Sequence, residues 1–516
     1  MASKLIKHFY YCSLFLPILL YFGERSYLAY DEGFYALQAR WIIESKNWLI
    51  PKWWDAYALD RTIGIQFIIA KSQEIFGNSS FAAHLPITIA SALMLFVTFK
   101  LHQVLIKKQE AIFSVFILST TYLWFNFAHL ATQDIIFALL VNIGLFSFIK
   151  LNQKKSPIYL FLFGNWIGLA FMMKTFFVFI PIFAIIPFLF FKKEILLYPS
   201  FWIGLFAGFI PFIVWSISIN PYIDRNIIFY LFDKLNELSS NNTFTNPYYY
   251  YFWNIPTNFL PWSLFAVIGL IFNYKNLNKI NSIIFFYPII FIFLISLFST
   301  KTPYYALPIS PILSLNAYLG IKQTIKSTRL SLILKIIGTR IIPIMIFLII
   351  AIYFFIFRTT LNFNFKEESL IILGLILFSL SWLLINKFHE PKHILFLLIL
   401  GPYLITTSIV QSGLITDRSR EMRESLEYYF SQNNIHDEVI QVNKKDINNN
   451  DLHSKIIKIS LLTPNLGEGI NSLSELKDSE YAWATLNNFV ADEEFYYQVI
   501  FTDENIKPWK LIKKIH

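Results

Sequence analysis

Two adjacent carboxylates, Asp31 and Glu32, directly follow the first long apolar stretch of the chain. A charged side chain in or beside the hydrocarbon of a membrane is costly, so its presence there usually serves a function. A carboxylate at that boundary can take a proton from a hydroxyl group and so act as a general base. In a structural interpretation, Asp31 caps the helix that follows and Glu32 opposes the helix dipole. Taken alone, the pair favours capping.

Three other charged residues are isolated in apolar surroundings. They are Asp134 in H-L-A-T-Q-D, Lys174 between two apolar segments, and Lys301 in S-T-K-T-P-Y-Y-A-L-P. Lysine ammonium groups can hold a phosphate through charge-assisted hydrogen bonds. Alternatively, the lysines snorkel to the lipid headgroups and Asp134 begins a helix. The choice depends on whether all these residues lie at the same membrane face.

The composition predicts a polytopic membrane protein. Hydrophobic residues make up 56% of the 516 positions and charged residues 15%, and the mean hydropathy is +0.52. Soluble domains are about a quarter charged. The net charge of +10 arises largely in short loops, which fits membrane topology better than a nucleic-acid partner. The single cysteine, Cys12, excludes an internal disulfide framework and a cysteine metal cluster.

Apolar segments of membrane-spanning length predict about thirteen transmembrane helices. They lie at residues 8–28, 81–99, 110–127, 130–149, 157–173, 175–191, 199–219, 256–273, 281–299, 303–321, 341–357, 368–386 and 393–412. The first lacks a cleavage site and is expected to be retained. If the N-terminus is cytoplasmic, every inside loop is lysine-rich, as the positive-inside rule predicts. All five isolated charges, and the C-terminus, then lie outside.

Three long segments are expected outside the membrane. In residues 29–80, Phe34, Leu37 and Trp41 share one face of a predicted interfacial helix. Residues 220–255 form the second segment. The third, residues 414–516, is polar and predicts a small α/β domain after the transmembrane domain of residues 1–413. A helix at Arg418–Phe430 and strands at Glu438–Val442, Lys455–Leu462 and Tyr496–Phe501 are expected there.

Six short motifs follow one another between residues 10 and 320. They are Asp31-Glu32-x-x-Tyr35-Ala36; Leu59-Asp60-Arg61 with Phe76-Gly77 and Ala82-Ala83-His84-Leu85-Pro86; Asp134; Gly168 to Lys174; Tyr250-Tyr251 with Pro261-Trp262-Ser263; and Ser299 to Pro308. In this order they resemble the bacterial membrane glycosyltransferases of the GT-C fold. The resemblance is greatest to the lipid A aminoarabinose transferases and to relatives of the protein O-mannosyltransferases. It implies an all-α polytopic membrane protein with the small C-terminal domain appended.

The resemblance also implies a chemistry. The donor would be a sugar on a polyprenyl phosphate, and the acceptor a lipid, a glycan or a protein at the outer face of a bacterial plasma membrane. Asp31 would act as the base, with inversion at the anomeric carbon, while Glu32 and Asp134 would orient the acceptor or tune that base. The donor phosphate would be held by Lys174, Lys301, Arg61, Tyr304 and Tyr305.

The sequence departs from the family pattern in three places. Arg61 replaces a lysine, and Thr62-Ile63 replaces a proline pair. His84 stands where the family commonly has arginine. The second outer segment, D-K-L-N-E-L-S-S-N-N, has no histidine that would support the zinc site of some aminoarabinose transferases. No metal or other cofactor is therefore assigned, although a divalent metal remains compatible with the sequence.

Two other functions fit a polytopic membrane protein. A transporter or lipid flippase usually has internal repeats and functional charges near the bilayer midplane. Here the charges are expected at one face, and no repeat relates the two halves of the chain. A lipid-linked glycan ligase or polymerase shares the predicted architecture but requires a pre-built oligosaccharide donor. The enzyme interpretation is favoured over the transporter.

Overall fold

The structure is a computed structural model that describes residues 12–515, except 55, 152, 241–244, 358–364, 434, 436, 449 and 486–495. Helices dominate it. They are α1 (Leu16–Leu19), α2 (Glu32–Glu44), α3 (Gly64–Phe76), α4 (Ser80–Leu105), α5 (Ala111–Ser119), α6 (Tyr122–Phe127), α7 (Asp134–Leu151), α8 (Pro157–Lys174), α9 (Phe179–Leu189), α10 (Pro199–Ile219), α11 (Ile227–Ser240), α12 (Tyr250–Asn258), α13 (Ser263–Lys275), α14 (Lys279–Ser296), α15 (Ser310–Lys326), α16 (Thr328–Ile333), α17 (Ile342–Ile352), α18 (Phe365–Leu384), α19 (Pro391–Ser412), α20 (Arg420–Gln432) and α21 (Asn450–Leu462).

Eight of the described helical segments are long and apolar enough to cross a membrane. They are Ser80–Leu105, Asp134–Leu151, Pro157–Leu197, Pro199–Tyr222, Lys279–Ser296, Thr328–Phe355, Lys366–Lys387 and Pro391–Ser412. The segment Pro157–Leu197 contains two predicted spans, because the backbone turns at Thr175, where φ is +42°. The multi-pass helical architecture expected from the sequence is confirmed.

The other four predicted spans are short or divided in the described part of the chain. Residues 110–127 form α5 and α6, and residues 303–321 begin with the 3-10 helix Pro303–Ile309. Helices α12 and α13 meet at an angle of 114°, so together they form a broken span or a re-entrant loop. Of the predicted first span, only the part from residue 12 onward is described, and it contains the single turn α1.

Glycines allow two pairs of helices to pack with their backbones in contact. A Cβ atom on Gly164 would lie 2.1 Å from the Phe201 carbonyl oxygen, and one on Gly204 would lie 2.1 Å from that of Phe161. Gly269 makes the same close approach, 1.9 Å, to the Asn316 carbonyl. Small residues at helix contacts are typical of membrane proteins, where packing replaces the hydrophobic effect. The pairs α8–α10 and α13–α15 therefore form a rigid frame around the loops at their ends.

The C-terminal region contains a five-stranded sheet in the order β4-β3-β5-β7-β6. Its strands are β3 (Val439–Val442), β4 (Asn465–Leu466), β5 (Tyr481–Thr485), β6 (Tyr497–Phe501) and β7 (Trp509–Lys514), and a short hairpin, β1 (Lys52–Trp53) and β2 (Ala56–Tyr57), lies in the first outer segment. Strand β3 pairs in parallel with β4 and β5, while β7 is antiparallel to β5 and β6. The predicted helix near 418–430 and the strands near 438–442 and 496–501 are present.

The strand expected at Lys455–Leu462 is wrong, because these residues lie in helix α21. A short apolar run with Ile456, Ile457, Ile459 and Leu461 cannot be assigned to helix or strand by periodicity alone. Its isoleucines are buried against the rest of the protein. The preceding residues, from Asn450, extend the run to helical length.

Helix α2 connects the C-terminal region to the helical bundle. The buried Arg40 guanidinium donates hydrogen bonds to the carbonyls of Ser460 (2.8 Å), Thr463 (2.6 Å) and Pro464 (2.6 Å). The predicted helix is therefore present, but its predicted interfacial position is wrong. Leu37 and Trp41 are buried within the protein, where they cannot face lipid.

Candidate active site

Asp31 lies at the entrance to α2 in an unusual backbone conformation. Its φ is +54°, in a region that costs a non-glycine residue energy and that often marks functional sites. The Asp31 side chain makes no capping hydrogen bond to α2, and the residue is exposed. The capping interpretation therefore fails, and the carboxylate is available for another role.

The surroundings of Asp31 include three of the charges expected there. Although part of Asp31 remains exposed, the surrounding protein removes water from its carboxyl, and this desolvation together with the negative charge of Asp134 raises the pKa of Asp31 above its usual value, whereas Arg61 and Lys174 oppose this rise. These residues come from four separate segments of the chain. The structure thus brings Asp134, Arg61 and Lys174 within electrostatic range of Asp31.

Asp134 and Lys174 form a buried ion pair. The Lys174 ammonium contacts Asp134 Oδ1, and both side chains are less than a tenth exposed. The Thr132 hydroxyl donates a 2.8 Å hydrogen bond to Asp134 Oδ2. Helix α8 ends at Lys174 and α7 begins at Asp134, so the two helix ends present opposite charges to each other.

Aromatic rings surround the Lys174 ammonium. The Tyr304 ring centroid lies 4.4 Å from Lys174 Nζ, and the centroids of Tyr305 and Phe177 each lie 5.2 Å away. The electrostatic field of Asp31 and Asp134 reaches both tyrosine hydroxyls. Tyr304 and Tyr305 therefore belong to the same cluster as the carboxylates. Cation–π attraction holds the ammonium in place while leaving its hydrogens able to meet an anion.

Arg61 provides a second positive charge near Asp31. Its guanidinium binds Asp60 through Nε (3.0 Å) and Nη2 (2.7 Å), and its carbon lies 5.2 Å from the centre of the Tyr35 ring. Burial lowers the pKa of Arg61, but Tyr35, Asp60 and Asp31 more than offset this, so the net shift is upward. Arg61 is therefore a fixed cation whose orientation Asp60 sets.

Glu32 occupies a different environment, although it is adjacent to Asp31. It is fully buried, and its Oε1 accepts hydrogen bonds from the Ala131 amide (2.7 Å) and lies 2.7 Å from His84 Nε2. Its Oε2 accepts from the Leu28 amide at 2.8 Å. Glu32 therefore ties together the start of α2, helix α4 and the loop before α7.

Lys301 is also separated from the cluster by its contacts. Its ammonium donates to the carbonyl oxygens of Asn246 (2.7 Å) and Phe298, with a longer contact to Ser299 (3.5 Å). Burial lowers the pKa of Lys301, and the side chain is 5% exposed. These contacts fasten the second outer segment to the connection that leads to Tyr304.

Sequence reasoning missed two partners of the site residues. Asp60, which orients Arg61, was visible only as part of the Leu59-Asp60-Arg61 motif. His84, the partner of Glu32, was noticed only as a departure from an arginine. Among the residues that the structure describes, no group of three histidine, cysteine, aspartate or glutamate side chains is arranged to hold a metal ion.

Comparisons with known proteins agree with this site and fold. Residues 60–217 match the family model described as dolichyl-phosphate-mannose-protein mannosyltransferase. The chain is 25% identical over 328 residues to the undecaprenyl phosphate-alpha-4-amino-4-deoxy-L-arabinose arabinosyl transferase of Wigglesworthia glossinidia brevipalpis. That match covers 59% of this chain and 57% of the relative, so the chain aligns with little more than half of that relative's length. A second such transferase, from Proteus mirabilis, is 25% identical over 326 residues, or 60% of this chain and 58% of the relative.

The fold itself has a close structural counterpart. ArnT from Cupriavidus metallidurans, in a crystal structure bound to undecaprenyl phosphate, superposes with a TM-score of 0.77 at 15% sequence identity. The superposition covers 99% of this chain and 98% of that one. The resemblance inferred from the six motifs is thereby confirmed: the chain has the GT-C fold and is similar in sequence to the aminoarabinose transferases.

Proposed function

We propose that this chain is an integral-membrane glycosyltransferase that moves a sugar from a polyprenyl-phosphate-linked donor to a lipid, glycan or protein acceptor, with inversion. The observation that carries the proposal is the cluster around Asp31. One accessible carboxylate with a raised pKa faces two fixed cations, Arg61 and Lys174, and two tyrosine hydroxyls. Sugar transfer from a phosphate leaving group requires a base for the acceptor hydroxyl and cations that stabilise the departing phosphate. The cluster contains both.

In the proposed reaction, the Asp31 carboxylate takes the proton of the acceptor hydroxyl. The freed oxygen electron pair forms a bond to the anomeric carbon of the donor as the bond from that carbon to the phosphate oxygen breaks. The polyprenyl phosphate leaves with the additional negative charge, which Lys174 and Arg61 stabilise. A single displacement with one base inverts the anomeric carbon.

The remaining site residues support these steps. Asp134 holds Lys174 at the end of α8, so the ammonium is present before the donor arrives. Tyr304 and Tyr305 can donate hydrogen bonds to the phosphate. We assign Glu32 and Lys301 to positioning, because their contacts hold the segments that carry Asp31 and Tyr304. Direct phosphate binding by Lys301 remains a prediction.

We further propose that the site and the C-terminal region lie outside a bacterial plasma membrane. The lysine-rich loops support a cytoplasmic position for the other end of the bundle. A reporter that is active only outside the cytoplasm, fused after Ile415, should then be active. Activity of a cytoplasm-only reporter at that position would reverse the orientation.

The function is tested by comparing extracted lipids and surface glycans, by mass spectrometry, from cells with and without the gene. Loss of one monosaccharide-sized mass increment from a lipid or glycan, restored by the wild-type chain and not by Asp31→Asn, is expected. An undecaprenyl-phosphate-linked 4-amino-4-deoxy-L-arabinose is the first donor to test with purified protein, given the matched relatives. Unchanged lipids and glycans, or a requirement for a pre-built oligosaccharide, would contradict the proposal.

A further inference from the structure

A groove of about 640 Å³ opens between helices α7, α9 and α14. Its walls are apolar and include Phe148, Phe188, Phe286 and Ile290. Lys192 and Lys279 also line it, together with the hydroxyl-bearing Ser282. The groove therefore combines an apolar channel with a small set of hydrogen-bond donors.

This groove lies at the opposite end of the bundle from Asp31. Helix α9 begins five residues after Lys174 and ends at Leu189, and Lys192 lies in the 3-10 helix Phe190–Leu197 that follows it. Helix α14 begins at Lys279 and ends shortly before Lys301. An 18-residue helix is about 27 Å long, close to the thickness of the bilayer hydrocarbon. The two lysines are thus one membrane thickness from the candidate active site.

Neither lysine forms a salt bridge with a carboxylate in the described part of the chain. The nearest acidic residue in sequence, Glu194, pairs with Lys155 at 2.7 Å. Glu194 also attracts the ammoniums of Lys192 and Lys279, but only at a longer range than an ion pair. Lys192 donates a 3.3 Å hydrogen bond to the Leu151 carbonyl, and the charge of Lys279 acts on it. Three lysines therefore share one carboxylate at the edge of the groove, so two positive charges there are not neutralised by the protein.

We propose that this groove binds one anionic phospholipid from the leaflet opposite the candidate active site. The headgroup phosphate lies between Lys192 and Lys279, where Ser282 donates a further hydrogen bond, and an acyl chain lies along Phe148, Phe188 and Phe286. Basic pockets between transmembrane helices are suited to such headgroups. A zwitterionic lipid fits less well, because its own cation would lie beside the two ammoniums.

The test is native mass spectrometry of the full chain in mild detergent with phosphatidylglycerol or phosphatidylcholine of identical acyl chains. Wild type should retain phosphatidylglycerol preferentially. The double variant Lys192→Gln/Lys279→Gln should lose this preference, by about fivefold for each lysine removed. Lys107→Gln/Lys108→Gln, which removes two exposed lysines outside the groove, should retain it.

A third variant separates a defined site from general attraction to a basic surface. Ser282→Trp keeps both lysines but fills the headgroup end of the groove, and it should reduce phosphatidylglycerol retention as the double variant does. Retention unchanged in either groove variant would overturn the proposal. So would an equal loss in the Lys107/Lys108 control, which would indicate nonspecific charge. Binding of a second copy of the chain in place of lipid would also overturn it.

Discussion

Asp31 and Glu32 are neighbours in the chain but belong to different regions of the molecule. Asp31 projects into the charged cluster of Arg61, Lys174 and Asp134, where it is accessible to a substrate. Glu32 is enclosed by His84 and two backbone amides. The same contrast separates Lys174, which faces a carboxylate and aromatic rings, from Lys301, which faces carbonyl oxygens. In each pair, one residue belongs to the charged cluster, and the other makes contacts that hold backbone segments together.

The largest effect should come from removing the proposed base, Asp31. Asp31→Asn keeps the shape of the side chain but should lower turnover by about a hundredfold or more, as for loss of a general base. Because the pKa of Asp31 is raised in the folded state, the ionised carboxylate lowers the folding stability at neutral pH, and an amide at this position does not. The variant should therefore unfold in detergent at the same or a higher temperature than wild type. Near-normal sugar transfer by Asp31→Asn would show that Asp31 is not the base, and would contradict the proposed difference in role between Asp31 and Glu32.

Lys174 and Lys301 should differ in their contribution to donor binding. Lys174→Met removes the proposed charge-assisted hydrogen bond to the donor phosphate and should weaken binding of a polyprenyl-phosphate sugar by about ten- to a hundredfold. It should also lower stability, because it leaves the buried Asp134 carboxylate without its cation. Lys301→Met should mainly lower the thermal stability of the protein, because it releases the carbonyls of Asn246 and Phe298. Donor affinity is measured by titration in detergent. Equal losses of affinity would place both lysines on the phosphate.

Substitution of Glu32 should lower the stability of the protein more than it lowers turnover. Glu32→Gln removes the charge that strengthens the bonds to His84 and the Ala131 amide, and should cost about 1.5–3 kcal/mol of unfolding free energy. His84→Ala should have a similar effect. Glu24→Gln, an exposed carboxylate on the preceding loop, is the matched control and should change nothing. Thermal unfolding in detergent measures all three. A stable Glu32→Gln that has lost turnover would instead support a catalytic role.

The smallest effect concerns pH. Since the pKa of Asp31 is raised, activity should fall as pH decreases through a value above that of a free aspartate. Arg61 opposes this rise, so Arg61→Gln should move the acidic limb of the pH–rate profile to higher pH. The profile of Lys52→Gln, whose ammonium pairs with Glu468 on the C-terminal region, should keep its position. If the acidic limb does not move in Arg61→Gln, Arg61 does not influence the pKa of the proposed base, Asp31.

The sequence predicted which segments meet, but not which side chains would pair. Hydropathy placed Asp31, Asp134 and Lys174 at one membrane face, because it locates the ends of the spans. Arg61, Tyr304 and Tyr305 were added only by the family resemblance. The sequence assigned Lys301 to the donor phosphate, but it could not show the hydrogen bond of Lys301 to the Asn246 carbonyl, because Asn246 is 55 residues away and carries no sequence signal. The helix at Asn450–Leu462 was missed because its short isoleucine run fits both periodicities.

The contact between Arg40 and the carbonyls of Ser460, Thr463 and Pro464 limits how this protein can be rebuilt. Helix α2, which follows directly after Asp31, is held near its last turn by the C-terminal region. Chimaeras that exchange only the C-terminal region for that of a relative should therefore disturb the candidate active site from a distance. Exchange of residues 29–80 together with the C-terminal region preserves both sides of this contact. We therefore expect functional chimaeras only when the two segments are taken from the same protein.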